Sequence, residues 1–173
     1  QAASEALRHS SIGSTVAPVA GIPAREALLL RTLINHPWLI EERWEDISKL
    51  DFSSKIAQRL RDGLLDLQAY DIPLDTNELR TQLGRLGFDT SLAQLDRSVT
   101  HKSDRFAEPA AERADVDAGF SHALRMHEQD RLRHALQEAE AAYREVQSED
   151  TLARIMEIKR LQARSVDVDD RRD

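Results

Sequence analysis

An all-α chain, arranged as a small helical bundle followed by a C-terminal antiparallel helical hairpin, is what three features of the sequence predict. Apolar residues recur at steps of three and four almost throughout. Pro, Gly and Asp/Ser clusters fall between those periodic runs rather than inside them. From about Ala114 to Val146 there is neither a proline nor a turn cluster, which predicts one helix of some thirty residues, with Gly119 its only weak spot. Together these give four expected segments: a linker over 1–21, a helical bundle over 22–110, a hairpin over 111–165 and a frayed charged tail over 166–173.

The first helix carries Leu28, Leu29, Leu30, Leu33 and Ile34, apolar on nearly every side, and so is expected at the centre of the bundle. Pro37 ends it. Trp38, Leu39, Ile40 and Trp44 predict one short second helix holding both tryptophans and packing back on the first. Ser53 or Ser54 caps a third helix whose Ile56, Leu60, Leu64 and Leu67 form one buried stripe, ending near Tyr70. After the turn at Asp71-Ile72-Pro73, Asp75 with Glu78 three residues on makes a capping-box-like start for a fourth helix, with Leu79, Leu83 and Leu86 inward. Gly87 stops it, and Phe88 is placed for the apolar contact that accompanies a left-handed glycine cap. Asp89 or Thr90 opens a fifth helix with Leu92, Leu95 and Val99, and the polar KSDRFAEPAAER leads out of the bundle.

In the long helix Leu132, Leu136, Ala139, Tyr143 and Val146 repeat at four, three, four, three, a coiled-coil-like seam that needs a partner strip. Ser148, Glu149 and Asp150 supply a turn and cap. Thr151 to Arg164 is expected to be the last helix, with Leu152, Ile155, Ile158 and Leu161 facing the seam at steps of three and Met156 outside that row. Two helices alone bury little against the chain entropy they lose. Leftover apolar surface on such a projecting element suits protein docking, while packing on the bundle or on a second copy would cover it as well.

Composition excludes several classes of function. The chain has 173 residues, 40% hydrophobic and 32% charged, enough for one modest core and a satellite element. With no cysteine there is no disulfide, thiolate metal site or cysteine nucleophile, which fits a cytoplasmic location. No apolar run approaches the roughly 20 residues of a membrane helix. The start, QAASEALRHSSIGSTVAPVAGIP, lacks the pattern of a secretory signal and reads as a linker, as in a domain cut from a longer protein or an N-terminal extension. The net charge is −7, and neither residues 1–109 nor residues 110–173 hold an excess of Lys and Arg, which argues against direct nucleic-acid binding.

No GxSxG, phosphate-binding loop or dinucleotide glycine fingerprint occurs. The acidic pairs Glu41-Glu42 and Asp169-Asp170 read as solvated surface. His9, His36, His101, His122, His127 and His134 are too scattered for an i, i+4 ligand pair, and His122 and His127 are expected to face solvent or a partner. The reading is a non-enzyme with no cofactor and no metal.

The block AREALLLRTLINHPWLIEERWEDISKLDF, residues 24–52, resembles the opening of the C-terminal, helicase-binding domain of bacterial DNA primase: a Leu-rich helix, an N/H-P step and a short second helix. The N-terminal domain of the replicative helicase begins similarly. The segment VDAGFSHALRMHEQDRLRHALQEAEAAYREVQSEDTLARIMEIKRLQAR resembles the hairpin of alphaproteobacterial primases and separates the two, as does the lack of an ATPase loop. The resemblance implies docking on the N-terminal domains of the hexameric helicase, recruitment of primer synthesis to the replication fork, modulation of helicase activity, and a catalytic core of the parent primase that lies outside this chain. Tyr143, Val146, Leu152, Ile155, Met156 and Ile158, near the hairpin turn, are the expected partner-binding residues. The alternatives are helical self-association, a homodimer exchanging the hairpin, and the N-terminal domain of the replicative helicase.

Overall fold

A computed structural model describes residues 21–70, 75–98 and 101–170. Those residues are all-helical, with no strand among them, in the expected order of a bundle and then a helical pair. Contacts divide the chain into two compact units, up to Val99 and from Thr100 onward. Linker residues 1–20, the turn Asp71-Ile72-Pro73, Val99 and the last residues 171–173 lie outside the described residues.

In the first unit α1 (Ala24–Asn35) is the central helix, packed by α2 (Trp38–Glu42), α4 (Lys55–Ala69), α5 (Thr76–Arg85) and α6 (Asp89–Arg97). Leu29, Leu30, Leu33 and Ile34 are buried, as a helix apolar on most sides requires. The segment after Pro37 forms two short helices instead of one. Arg43 leaves helical geometry (φ −116°, ψ 28°), so Trp38 belongs to α2 and Trp44 to α3 (Trp44–Ser48). Glu45 and Asp46 then sit in the first turn of α3, where negative charge is favoured, and Arg43 Nε donates to Asp46 Oδ2 at 2.8 Å.

Two buried polar side chains fasten α4. Ser54 is its cap, its side chain accepting from Ala57 N–H. Ser53 instead donates through N–H (2.6 Å) and Oγ (2.7 Å) to Glu26 Oε1, while Ser54 N–H reaches Glu26 Oε2, tying the start of α1 to the start of α4. About two turns further on, Arg61 Nη1 donates to the carbonyls of Ile47, Ser48 and Leu50 at the end of α3. Leu60 and Leu64 are fully buried, whereas Ile56 and Leu67, at the ends of the same stripe, are half-buried.

Asp75 caps α5 by accepting from Glu78 N–H at 2.8 Å, with Leu79 and Leu83 buried. Leu86, expected inward, is exposed. It ends α5 just before Gly87 (φ +91°), where Gly87 N–H donates to Gly84 O and Phe88 N–H to Leu83 O, a paired glycine-terminated cap. That turn carries Phe88 inward in place of Leu86, with its ring beside buried Gly63 of α4.

The connection after the bundle is ordered. Lys102–Ala107 is a 3-10 helix capped reciprocally by His101 and Asp104, and it contacts α7. Phe106 lies so close over Gly119 of α7 that a Cβ there would collide with the ring. Gly119 thus accommodates a neighbour and does not break the helix. The long helix α7 runs Arg113–Glu145, 33 residues, and pairs with α8 (Glu149–Asp170). The last helix therefore passes the expected end at Arg164 and includes the start of the tail expected to fray. Alongside so long a partner it has a surface to follow: Gln162, Ser165 and Val166 share a notch of about 190 Å³ with Gln129, Leu132 and Arg133.

Candidate partner-docking site on the hairpin

The turn between α7 and α8 is built by reciprocal hydrogen bonds. Thr151 N–H donates to Ser148 Oγ (3.2 Å) and Ser148 N–H to Thr151 Oγ1 (3.1 Å), a capping box with a hydroxyl at its third position. The Thr151 hydroxyl also donates to Val146 O at 2.7 Å, so the non-helical residues between α7 and α8 are held by the first turn of α8.

Around this turn the six expected partner-binding residues fall into two sets. Ile155 (8% exposed) and Ile158 (1%) pack with Leu132 and Ala139 in the core of the hairpin, joined by partly buried Leu136 and Tyr143. Val146 (61%), Leu152 (46%) and Met156 (58%) present apolar surface outward. The expected row Leu152, Ile155, Ile158 and Leu161 does not form one face, because steps of three fall short of a 3.6-residue turn and the row winds round the helix. Thr151, Ile155, Ile158, Gln162 and Ser165, at four, three, four, three, are half-buried or buried along α8, with Glu157 the other half-buried position among those described. Leu161 is exposed. Val146 also departs from the expected seam, since α7 ends at Glu145 and Val146 is extended (φ −134°, ψ 99°).

A second row of α8 has the same spacing and is exposed throughout: Leu152, Met156, Lys159, Ala163 and Val166. It lies beside the hairpin seam and is apolar at all but one position. Ala163 and Val166 were not among the expected partner-binding residues. Their signal was present as a heptad-spaced row starting at Leu152, hidden by the more conspicuous step-three row of Leu and Ile.

His127 corrects another expectation. It is buried, whereas His122 is exposed. It follows Val116, Phe120 and Ala123 at four, three, four, a stripe that faces inward. Among the described residues no group of three or more His, Asp or Glu side chains is placed to hold a metal ion, and no helix is long and apolar enough to cross a membrane. No protein-family model, curated protein or solved structure matches the chain.

Proposed function

We propose that this chain is the helicase-binding domain of a bacterial DNA primase, a non-catalytic, cytoplasmic module that docks on the N-terminal domains of the hexameric replicative helicase and brings primer synthesis to the fork. One observation carries the docking part: apolar residues Val146, in the turn, and Leu152 and Met156, on α8, are exposed around the hairpin turn, beside a seam that is already filled. A hairpin with exposed apolar side chains on a helical backbone suits recognition of another helical surface. The resemblance of residues 24–52 and of the hairpin segment to primase supplies the partner's identity. Of the six residues first expected to bind, Val146, Leu152 and Met156 are assigned to the partner. Tyr143, Ile155 and Ile158 hold the hairpin that presents them.

Calorimetric titration of the chain into the hexameric helicase of the same bacterium tests this reading. Saturable binding by the wild type is expected, reduced roughly ten-fold or more by Met156→Asp, the scale of losing one central interface side chain. Because Met156 is exposed, that variant should keep the circular dichroism of the parent. Undiminished binding by Met156→Asp and Leu152→Asp together would move the interface off the hairpin. A second reading, self-association, is favoured by the heptad-spaced exposed row of α8, which a second copy could cover. Light scattering decides it, since that reading requires a mass that rises with concentration.

A further inference from the structure

Away from the hairpin turn, an open basin of about 480 Å³ is lined by His101, Lys102, Arg105, Glu108, Ala110 and Ala111. That is within the size range of small-molecule sites. The chain as a whole carries −7, yet here two basic side chains, Lys102 and Arg105, and the imidazole of His101 face a single acid, Glu108. Among the described residues neither Lys102 nor Arg105 makes an ion pair. The nearest acid in sequence, Asp104, is turned away into the cap: Oδ2 accepts from His101 N–H at 3.3 Å and Oδ1 from the Ser103 hydroxyl at 3.1 Å.

The same cap orients His101. The Ser103 N–H donates to its Nδ1 at 3.5 Å and the Ser103 hydroxyl lies 3.2 Å from the same nitrogen, so the cap engages Nδ1 and leaves Nε2 outside it. The segment is anchored, with Ala107 fully buried and Phe106 seated on Gly119 of α7. Among the described residues no Phe, Tyr or Trp lines the basin, so no aromatic ring there would stack on a nucleobase, and charge dominates recognition.

From this arrangement we propose that the basin of His101, Lys102 and Arg105 binds a compact multivalent phosphate anion, with Glu108 on its wall weakening the affinity. Two cationic side chains and an imidazole N–H would supply charge-assisted hydrogen bonds to phosphate oxygens. The inference is independent of the docking proposal, since none of these residues belongs to the hairpin turn.

The test is titration of the whole chain with sodium pyrophosphate at constant ionic strength, followed by amide NMR shifts. Saturable changes confined to residues 101–111 are expected. Affinity should fall roughly ten-fold or more in Lys102→Gln/Arg105→Gln, on the scale of losing charged hydrogen bonds, and should rise in Glu108→Gln. The Lys102 and Arg105 side chains are exposed, so unchanged helicity is the folding control for that variant. Shifts scattered over all Lys and Arg residues, or equal binding by the double variant, would overturn the proposal. A short oligothymidylate titrated in parallel separates a free anion from a nucleic-acid backbone. Pyrophosphate binding that exceeds the oligonucleotide's supports the proposal, and oligonucleotide binding at these residues with pyrophosphate silent contradicts it.

Discussion

Arg61 shows how one buried charge can fix the direction of a chain. Its Nη1 is shared by the carbonyls of Ile47, Ser48 and Leu50 around the end of α3, of which Ile47 O also accepts from Leu50 N–H, and its Nε donates to Asp62 at 2.7 Å. Arg61→Met keeps much of the side-chain volume and removes every donor. We expect a loss of about 2–4 kcal/mol in urea unfolding, from buried carbonyls left unsatisfied; a loss below about 0.5 kcal/mol, ordinary for a surface site, would show that water replaces the guanidinium. Between α5 and α6, Asp96 accepts from both Nη atoms of Arg80 at 2.8 and 2.9 Å. The hydrogen bond from Arg80 holds its carboxyl below the ordinary aspartate range against a smaller opposing effect of burial, with the charges of Arg80 and Arg31 adding to the lowering. A carboxyl with a depressed folded pKa favours the folded state above its unfolded value, about 4, and that contribution is lost as pH falls through the lower folded value. The stability advantage of the wild type over Asp96→Asn should therefore be present at neutral pH and shrink below about pH 4. The pair is partly exposed, so high salt should diminish it. An advantage independent of pH would remove Asp96 from this role.

Helix α7 explains both the success and the failure of reading elements from spacing. Val116, Phe120, Ala123 and His127 form one buried stripe, and Leu132, Leu136, Ala139 and Tyr143 a second. At about 100° per residue, positions 116 and 132 are roughly 160° apart, so the two stripes lie on nearly opposite faces. The second was legible because it is written in Leu, Ala and Tyr. The first ends in His127, which was expected to face solvent or a partner because a histidine does not by itself mark an apolar stripe. Glycine-terminated α5, Ser54-capped α4 and the Leu-rich α1 were legible because each depends on local chemistry that the sequence spells out. The exposed row of α8, and hence half of the candidate site, was not, because burial of Ile155 and Ile158 depends on a partner helix that fixes the phase. Gly119 is the sharpest case. In a solvent-facing helix, Gly→Ala gains about 1 kcal/mol. Here the Phe106 ring occupies the space of the new methyl, so Gly119→Ala should lose about 1–3 kcal/mol instead. Combining it with Phe106→Ala should recover part of that loss, a coupling of about 0.5–3 kcal/mol in a double-mutant cycle. Additive effects would mean that the ring does not bear on the glycine.

At the scale of the whole molecule, the division at Val99 and Thr100 separates two kinds of surface. The first unit buries most of its leucines and isoleucines among six helices, α1 to α6, each in contact with at least two of the others, and leaves Trp44, Tyr70 and Leu86 exposed. The second depends on a long antiparallel pair whose core at the turn end comes down to Leu132, Ala139, Ile155 and Ile158 with their partly buried neighbours. A chain ended after Thr100 therefore retains the bundle's buried leucines, Ile34, Ile40, Ile47 and Phe88, and should remain helical by circular dichroism. It loses Val146, Leu152 and Met156, the residues assigned to the helicase. Under the docking proposal, calorimetry with the hexameric helicase should show no saturable heat for this folded remainder, while the complete chain binds. Binding by the truncated chain with the affinity of the whole would place recognition on the bundle and leave the exposed row of α8 to another partner. Intermediate affinity would divide the interface, and Met156→Asp in the complete chain would then measure the hairpin's share directly. The two experiments are complementary because truncation removes a whole unit, whereas Met156→Asp changes one exposed side chain on an intact hairpin.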